Sequence, residues 1–180
     1  MLIVVIGGSG SGKSEFAENC CVKLCPDLKA YIATMEPYDE ESLQRIRRHQ
    51  NMRSTKKFET YECYTGLEKL LIPKKSTVLL ECMSNLVANE MYSPAGRSKH
   101  TADWIFRGIR ALLSQAEHVV VVTNQVFSDG IIYEESTMEY LSVMAQVNQK
   151  LAQAADAVYE VVHGISIQVK GSTAWEGDDR

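Results

Sequence analysis

An α/β fold with a mainly parallel sheet covered on both faces is predicted by three observations. A glycine-rich turn follows directly on an apolar run at the start of the chain. Strand-like and helix-like segments then alternate along most of its length. The run His118-Val119-Val120-Val121-Val122-Thr123 is too uniformly apolar for a strand with one wet face.

The elements follow in order. Leu2-Ile3-Val4-Val5-Ile6 reads as a buried strand, and Glu15 to Leu24 as an amphipathic helix that stops near Cys25-Pro26-Asp27. Ala30 to Thr34 is a short strand. Pro37 and Asp39 open a polar helix from Glu40 to about Met52. Lys57 to Cys63 reads as a third strand, and Gly66 to Leu71 as a short helix. Thr77 to Glu81 is a buried strand ending in a carboxylate, continued by a helix from Met83 to Met91. Tyr92 to His100 is a loop by its Pro, Gly and Ser content. A helix from Ala102 to Glu117 precedes the central strand, and helical periodicity returns from Ser136 to Ala155. Ala157–Val162 and Ile165–Val169 flank His163-Gly164 as a closing hairpin. Residues 1–170 are expected to form one domain, with 171–180 as a frayed polar tail.

Composition narrows the class. The chain has 180 residues, 45% of them hydrophobic, enough for a full core. Its net charge of −4 lacks the electrostatic footprint of a nucleic-acid binder. The chain has neither an apolar run of membrane-spanning length nor a leader pattern, so a cytoplasmic protein without a transmembrane segment is expected. Cysteines at 20, 21, 25, 63 and 82 are odd in number and lack zinc-ligand spacing, so they read as reduced thiols.

The turn Gly7-Gly8-Ser9-Gly10-Ser11-Gly12-Lys13-Ser14 matches the phosphate-loop pattern G-x-x-x-x-G-K-[ST]. A strand before it and a helix after it let backbone N–H groups and a helix dipole converge on an anion. Lys13 would reach the β/γ-phosphates, and Ser14 would hold Mg²⁺. The predicted fold is therefore P-loop NTPase-like, with ligand beyond the carboxyl ends of the strands. Glu81 ends a strand at that edge and suits either the Mg²⁺ shell or a nucleotide hydroxyl, although it could also cap the helix that follows.

Arg45, His49 and Arg53 recur at helical spacing on one face. Two guanidinium groups beside an imidazole suit a polyphosphate and favour the neutral, nucleophilic ring. On the residues alone, a solvated basic face is the commoner reading of such a run. His100, His118 and His163 read as structural or surface residues. Thr123-Asn124-Gln125 ends the central strand near the ligand edge. Asn148, inside a helix where asparagine is unfavourable, points either to a specific hydrogen bond or to an exposed polar position.

Beyond these readings, the chain resembles the bifunctional adenosylcobinamide kinase/adenosylcobinamide-phosphate guanylyltransferase family of cobalamin biosynthesis. The likeness rests on the phosphate loop, Tyr31-Ile32-Ala33-Thr34, Arg45-Ile46-Arg47-Arg48-His49, Leu79-Leu80-Glu81-Cys82, Val122-Thr123-Asn124, Val147-Asn148-Gln149-Lys150-Leu151-Ala152 and the segment Ala154 to Ile165. It implies two reactions. Adenosylcobinamide is phosphorylated by a nucleoside triphosphate, ATP or GTP. GMP then passes from GTP to the phosphate through a histidine–GMP intermediate, giving adenosylcobinamide-GDP. The matching histidine is His49, with Lys13 in the phosphate loop. The resemblance places Ala33, Thr34, Met35, Gln50, Asn51, Met52, Arg53, Glu62 and Glu81 at the nucleotide; the chemistry of the residues themselves makes Arg45 and Arg53 the expected phosphate contacts and Ser14 and Glu81 the expected Mg²⁺ ligands. It also implies a homotrimer.

The sequence departs from the family pattern in places: Gln125-Val126-Phe127-Ser128-Asp129-Gly130-Ile131-Ile132-Tyr133 replaces a run shorter by one residue that carries an acidic residue, Ala145-Gln146 stands ahead of Val147 where the family has a glycine, and an arginine frequent earlier in that helix is absent. Those departures bear on the cobinamide side of the site. They leave room for a small-molecule kinase without nucleotidyl transfer, or for a GTP-binding module without turnover.

Overall fold

The apolar N-terminal run forms β1 (Leu2–Gly7), and in a computed structural model of the chain the glycine turn passes it to α1 (Lys13–Leu24). Then come β2 (Lys29–Ala33), α2 (Glu40–Arg53), β3 (Phe58–Glu62), β4 (Thr77–Glu81), α3 (Met83–Tyr92), α4 (Thr101–Gln115), β5 (His118–Asn124), α5 (Glu135–Ala154), β6 (Ala157–Val162) and β7 (Ile165–Lys170). The structure describes residues 1–25, 27–125 and 133–171, with the side chains of Glu41, Arg45, His49 and Met52 outside the description. The expected stop at Pro26, most of the variant run 125–133, and the tail beyond Gly171 therefore lie outside the described residues.

The strands form one sheet in the order β3-β2-β4-β5-β1-β6-β7. Every pairing is parallel except β6 with β7, the hairpin that closes the described chain. Alternation on the central strands divides the core in two. Leu2, Val4, Ile32, Leu80, Val119 and Val121 pack with residues of α3, α4 and α5, including Leu86, Ile109 and Leu151. Ile3, Val5, Leu79, Val120 and Val122 pack with Ala17 and Cys21 of α1. Both faces of the sheet are thus dry, which explains why the strands read as continuous apolar runs.

The two ends of α2 are set differently. Asp39 caps its start, accepting from the Ser42 N–H at 2.7 Å while the Ser42 hydroxyl receives the Asp39 N–H at 3.0 Å. Its body is polar, and Arg53 is the one buried residue among its described side chains.

The short helix expected at Gly66–Leu71 is only a 3₁₀ turn, Leu67–Lys69. Gly66 enters it at φ 66° and Leu70 leaves it extended, so no α-helical turn can propagate. The turn seats buried Leu67 against α4 at Gly108, where a Cβ would stand 2.7 Å from the Leu67 Cβ. Gly108→Ala is therefore expected to destabilise the protein. Overpacking costs about 1–3 kcal/mol, against the ~1 kcal/mol that alanine gains in a helix interior. A urea titration would read this as a lower midpoint with an unchanged slope.

Candidate active site

The carboxyl ends of β1, β2, β4 and β5 share one edge of the sheet, and an open cleft of about 480 Å³ lies there. The glycine turn forms one wall. Gly10 and Gly12 sit at φ 70° and 91°, a region that side chains disfavour. The Ser11 N–H closes the turn on the Gly8 carbonyl at 3.3 Å, and the Lys13 ammonium donates to the same carbonyl at 2.9 Å. The hairpin buttresses the loop from behind: the Gly164 N–H donates to the Ser11 carbonyl at 2.8 Å. A Cβ on Gly12 would come within 3.3 Å of the Gly164 Cα, so chain and hairpin meet closely there and a side chain would press on the hairpin.

Glu81 stands at the floor of the cleft, only 8% exposed. One of its oxygens accepts from the Ser14 hydroxyl and the other from the Tyr31 hydroxyl at 3.3 Å. Burial, followed by the Glu81 charge, pushes the Tyr31 phenol well above its ordinary pKa, so it stays protonated and keeps donating. The Arg53 guanidinium lies 3.5 Å from the centre of the Tyr31 ring and is 6% exposed. Its Nη1 has no hydrogen-bond partner among the described residues, although Arg53 lines the cleft. A buried cation with a spare donor is suited to an anion.

Opposite the loop, Glu62 lines the cleft and accepts from the Tyr64 hydroxyl at 3.0 Å. The Tyr64 phenol is pushed up to about 12 by burial and by that hydrogen bond.

The residues singled out in the sequence separate into groups. Ser9 to Ser14, Ala33, Met35, Gln50, Arg53, Glu62 and Glu81 line the cleft. Gly7 and Gly8 shape the loop without lining it: a Cβ on Gly7 would stand 2.6 Å from the Val161 carbonyl. Thr34 is fully buried and turns inward, its hydroxyl donating to the Cys82 carbonyl at 2.8 Å. Asn51 is exposed on α2 and does not line the cleft. His49 lies on α2 between Arg48 and Gln50, both of which line the cleft, while the side chains of Arg45, His49 and Met52 lie outside the described residues. Asn148 makes a specific hydrogen-bonded contact, accepting from the Thr123 hydroxyl at 2.7 Å.

The buried residue Asn89 escapes a motif reading. Its amide donates to the Thr34 carbonyl at 2.8 Å and to the Tyr64 carbonyl at 3.1 Å, tying together the segments after β2 and β3. The available signal was the one that marks Asn148, an asparagine inside a helix. Among the described residues, no cluster of three histidine, cysteine or acidic side chains could hold a metal ion.

A parallel sheet, a glycine turn entering a helix at its carboxyl edge, and a hydroxyl–carboxylate pair beneath it define a nucleotide-binding protein of the P-loop class. A family profile described as cobinamide kinase / cobinamide phosphate guanyltransferase matches residues 3–169, and the chain belongs to that family. It is similar to the bifunctional adenosylcobalamin biosynthesis protein CobU of Salmonella typhimurium strain LT2, with 32% identity covering 94% of this chain and 100% of that protein. The protein of the same name from Escherichia coli strain K12 is 33% identical, with the same coverage. No described helix is long and apolar enough to cross a membrane.

Asn89→Leu is expected to leave two carbonyls unpaired and to lower stability by roughly 1–3 kcal/mol. Calorimetric titration with GTP should show weaker binding in the same variant, because the Thr34 and Tyr64 segments lose their common tether.

Proposed function

We propose that this protein carries out two reactions in one cleft. The first transfers a phosphoryl group from ATP or GTP to the aminopropanol hydroxyl of adenosylcobinamide. The second transfers GMP from GTP to adenosylcobinamide phosphate, forming adenosylcobinamide-GDP and pyrophosphate. The observation that carries this reading is the convergence of the phosphate loop, the Ser14–Glu81 pair and the buried Arg53 of α2, the helix that bears His49.

For the kinase step, the loop N–H groups and Lys13 hold the triphosphate while the substrate hydroxyl oxygen attacks the γ-phosphorus; the P–O bond to the β-phosphate breaks, the nucleoside diphosphate leaves with the electron pair, and the hydroxyl proton passes to solvent. For the second step, a neutral imidazole nitrogen of His49 attacks the α-phosphorus of GTP. A P–N bond forms, the P–O bond to pyrophosphate breaks, and pyrophosphate leaves with the electron pair. A phosphate oxygen of adenosylcobinamide phosphate then attacks the same phosphorus and displaces the imidazole. Arg53, with Arg45 as a second contact, balances charge moving onto the phosphates. Ser14 and Glu81 are hard oxygen donors in contact at the cleft floor and fit Mg²⁺, which would neutralise phosphate charge when bound. Ala33, Met35, Gln50 and Glu62 complete the nucleotide wall, supported by their places around the cleft.

A homotrimer is the assembly we infer, following the family likeness. An apolar stripe on the edge strand β7 supports it: Ile165, Ile167 and Val169 are 67%, 50% and 63% exposed. Sedimentation equilibrium should return about three times the 20.1 kDa chain mass; a monomer would refute the assembly. A cytoplasmic setting is in keeping with five cysteines that form no disulfide among the described residues.

Incubation with GTP and Mg²⁺ alone is expected to give an acid-labile, base-stable GMP adduct that maps to His49. In His49→Ala the adduct and the guanylylated product should vanish while kinase turnover persists. In Lys13→Ala both rates should fall by roughly 100- to 1,000-fold, the usual effect of losing one preorganised donor. Phosphorylated cobinamide without any adduct would instead indicate a kinase lacking nucleotidyl transfer.

A further inference from the structure

We infer that Lys56 is a positioning residue for guanylyl transfer, locking the trailing end of α2 to the phosphate-loop helix through buried Glu18. The inference rests on the reading that His49, carried by α2, takes up GMP.

Among its described side chains, α2 is exposed or half-buried until Arg53, so apolar packing by those residues does little to set its position. Two contacts beyond the middle of the helix set it. The first is the stack of Arg53 on Tyr31. The second lies in the turn that follows, where the Lys56 N–H donates to the Arg53 carbonyl at 2.9 Å. From there the Lys56 ammonium reaches the Glu18 carboxylate at 2.7 Å. Glu18 is 1% exposed and its other oxygen has no hydrogen-bond partner, so Lys56 is its charged contact in the described structure.

The spacing on α1 gives this ion pair its significance. Ser14 and Glu18 are four residues apart and share one face of the helix, about 6 Å from each other along its axis. Ser14 bonds the site carboxylate, and one turn on Glu18 bonds the connection that ends α2. A single rigid helix therefore references both the phosphate loop and the helix of the nucleophile. Neither Glu18 nor Lys56 lines the cleft. Releasing the pair would leave the loop and its lysine in place but let α2 shift, and a shift of about 1 Å in a reacting group can cost 100-fold in rate. Phosphoryl transfer does not use His49, so it serves as the internal control.

The test compares the full-length wild type, Lys56→Arg, Lys56→Met, and the double variant Glu18→Gln/Lys56→Met, which removes the link without stranding a buried charge. Each is assayed for the single-turnover rate of GMP adduct formation, for kinase turnover and for thermal midpoint. The expected result is an adduct rate about 10- to 100-fold lower in Lys56→Met and the double variant. Kinase turnover at saturating triphosphate should stay within about twofold, KM for the triphosphate is expected to rise because Gln50 and Arg53 travel with α2, and Lys56→Arg should restore adduct formation. An unchanged adduct rate in the double variant would overturn the inference while leaving the two-reaction reading intact. Equal loss of both activities with a lowered midpoint would reduce the pair to a structural one and also overturn it. Failure of the wild type itself to form an adduct would remove the reading and the inference together.

Discussion

The Glu81 carboxylate accepts from Ser14 on one oxygen and from Tyr31 on the other, and the rest of the site is arranged around that shared acceptor. Ser14 belongs to the first turn of α1, so this contact fixes the phosphate loop to the end of β4. Tyr31 comes from β2 and offers its ring to Arg53, so the same carboxylate is linked through one aromatic ring to α2. The Tyr31 phenol remains a donor because burial and the adjacent charge both oppose its ionisation. A stacked, desolvated cation–π contact is worth on the order of 0.5–2 kcal/mol. That is a modest energy, and it matters because little else among the described contacts holds α2.

The sheet makes this possible by its order. β1, β4 and β5 occupy the centre, dry on both faces, and their carboxyl ends deliver the loop, Glu81 and Asn124 to one edge. The antiparallel hairpin at the far side has a different task, since its turn backs the phosphate loop through the Gly164 N–H. Asn89 performs the matching service on the other side, satisfying carbonyls that follow β2 and β3. Rigid scaffold and site are therefore joined by a few polar contacts at the sheet edge, and the apolar core stays away from the chemistry.

The attachment of α2 differs in kind from that of the rest of the fold. The central strands and α1 are held by continuous apolar packing, whereas α2 is held by charge and an aromatic face. An element anchored in this way can be displaced by local changes without unfolding the sheet. On the proposed reading, a helix that meets a bound triphosphate gains from such independence.

Much of this was legible in the chain itself, because the signals were local. Uniform apolar runs announced strands buried on both faces, the glycines at 7 to 12 announced the loop, and Asp39 announced the start of α2. The short helix near Gly66 was misread because one left-handed glycine and an extended Leu70 override a weak helical pattern. The stack of Arg53 on Tyr31 and the roles of Lys56 and Asn89 were hidden for a different reason. Each depends on a partner distant in sequence: Glu18 is 38 residues from Lys56, and Thr34 is 55 from Asn89. Periodicity shows which face of an element is apolar, but not which buried polar group a neighbouring crossover will bring beside it. The sequence by itself therefore determined the fold class, the nucleotide loop and the family. Tertiary structure alone decided how loop, carboxylate and helix are locked together, because only the packed sheet sets those distances.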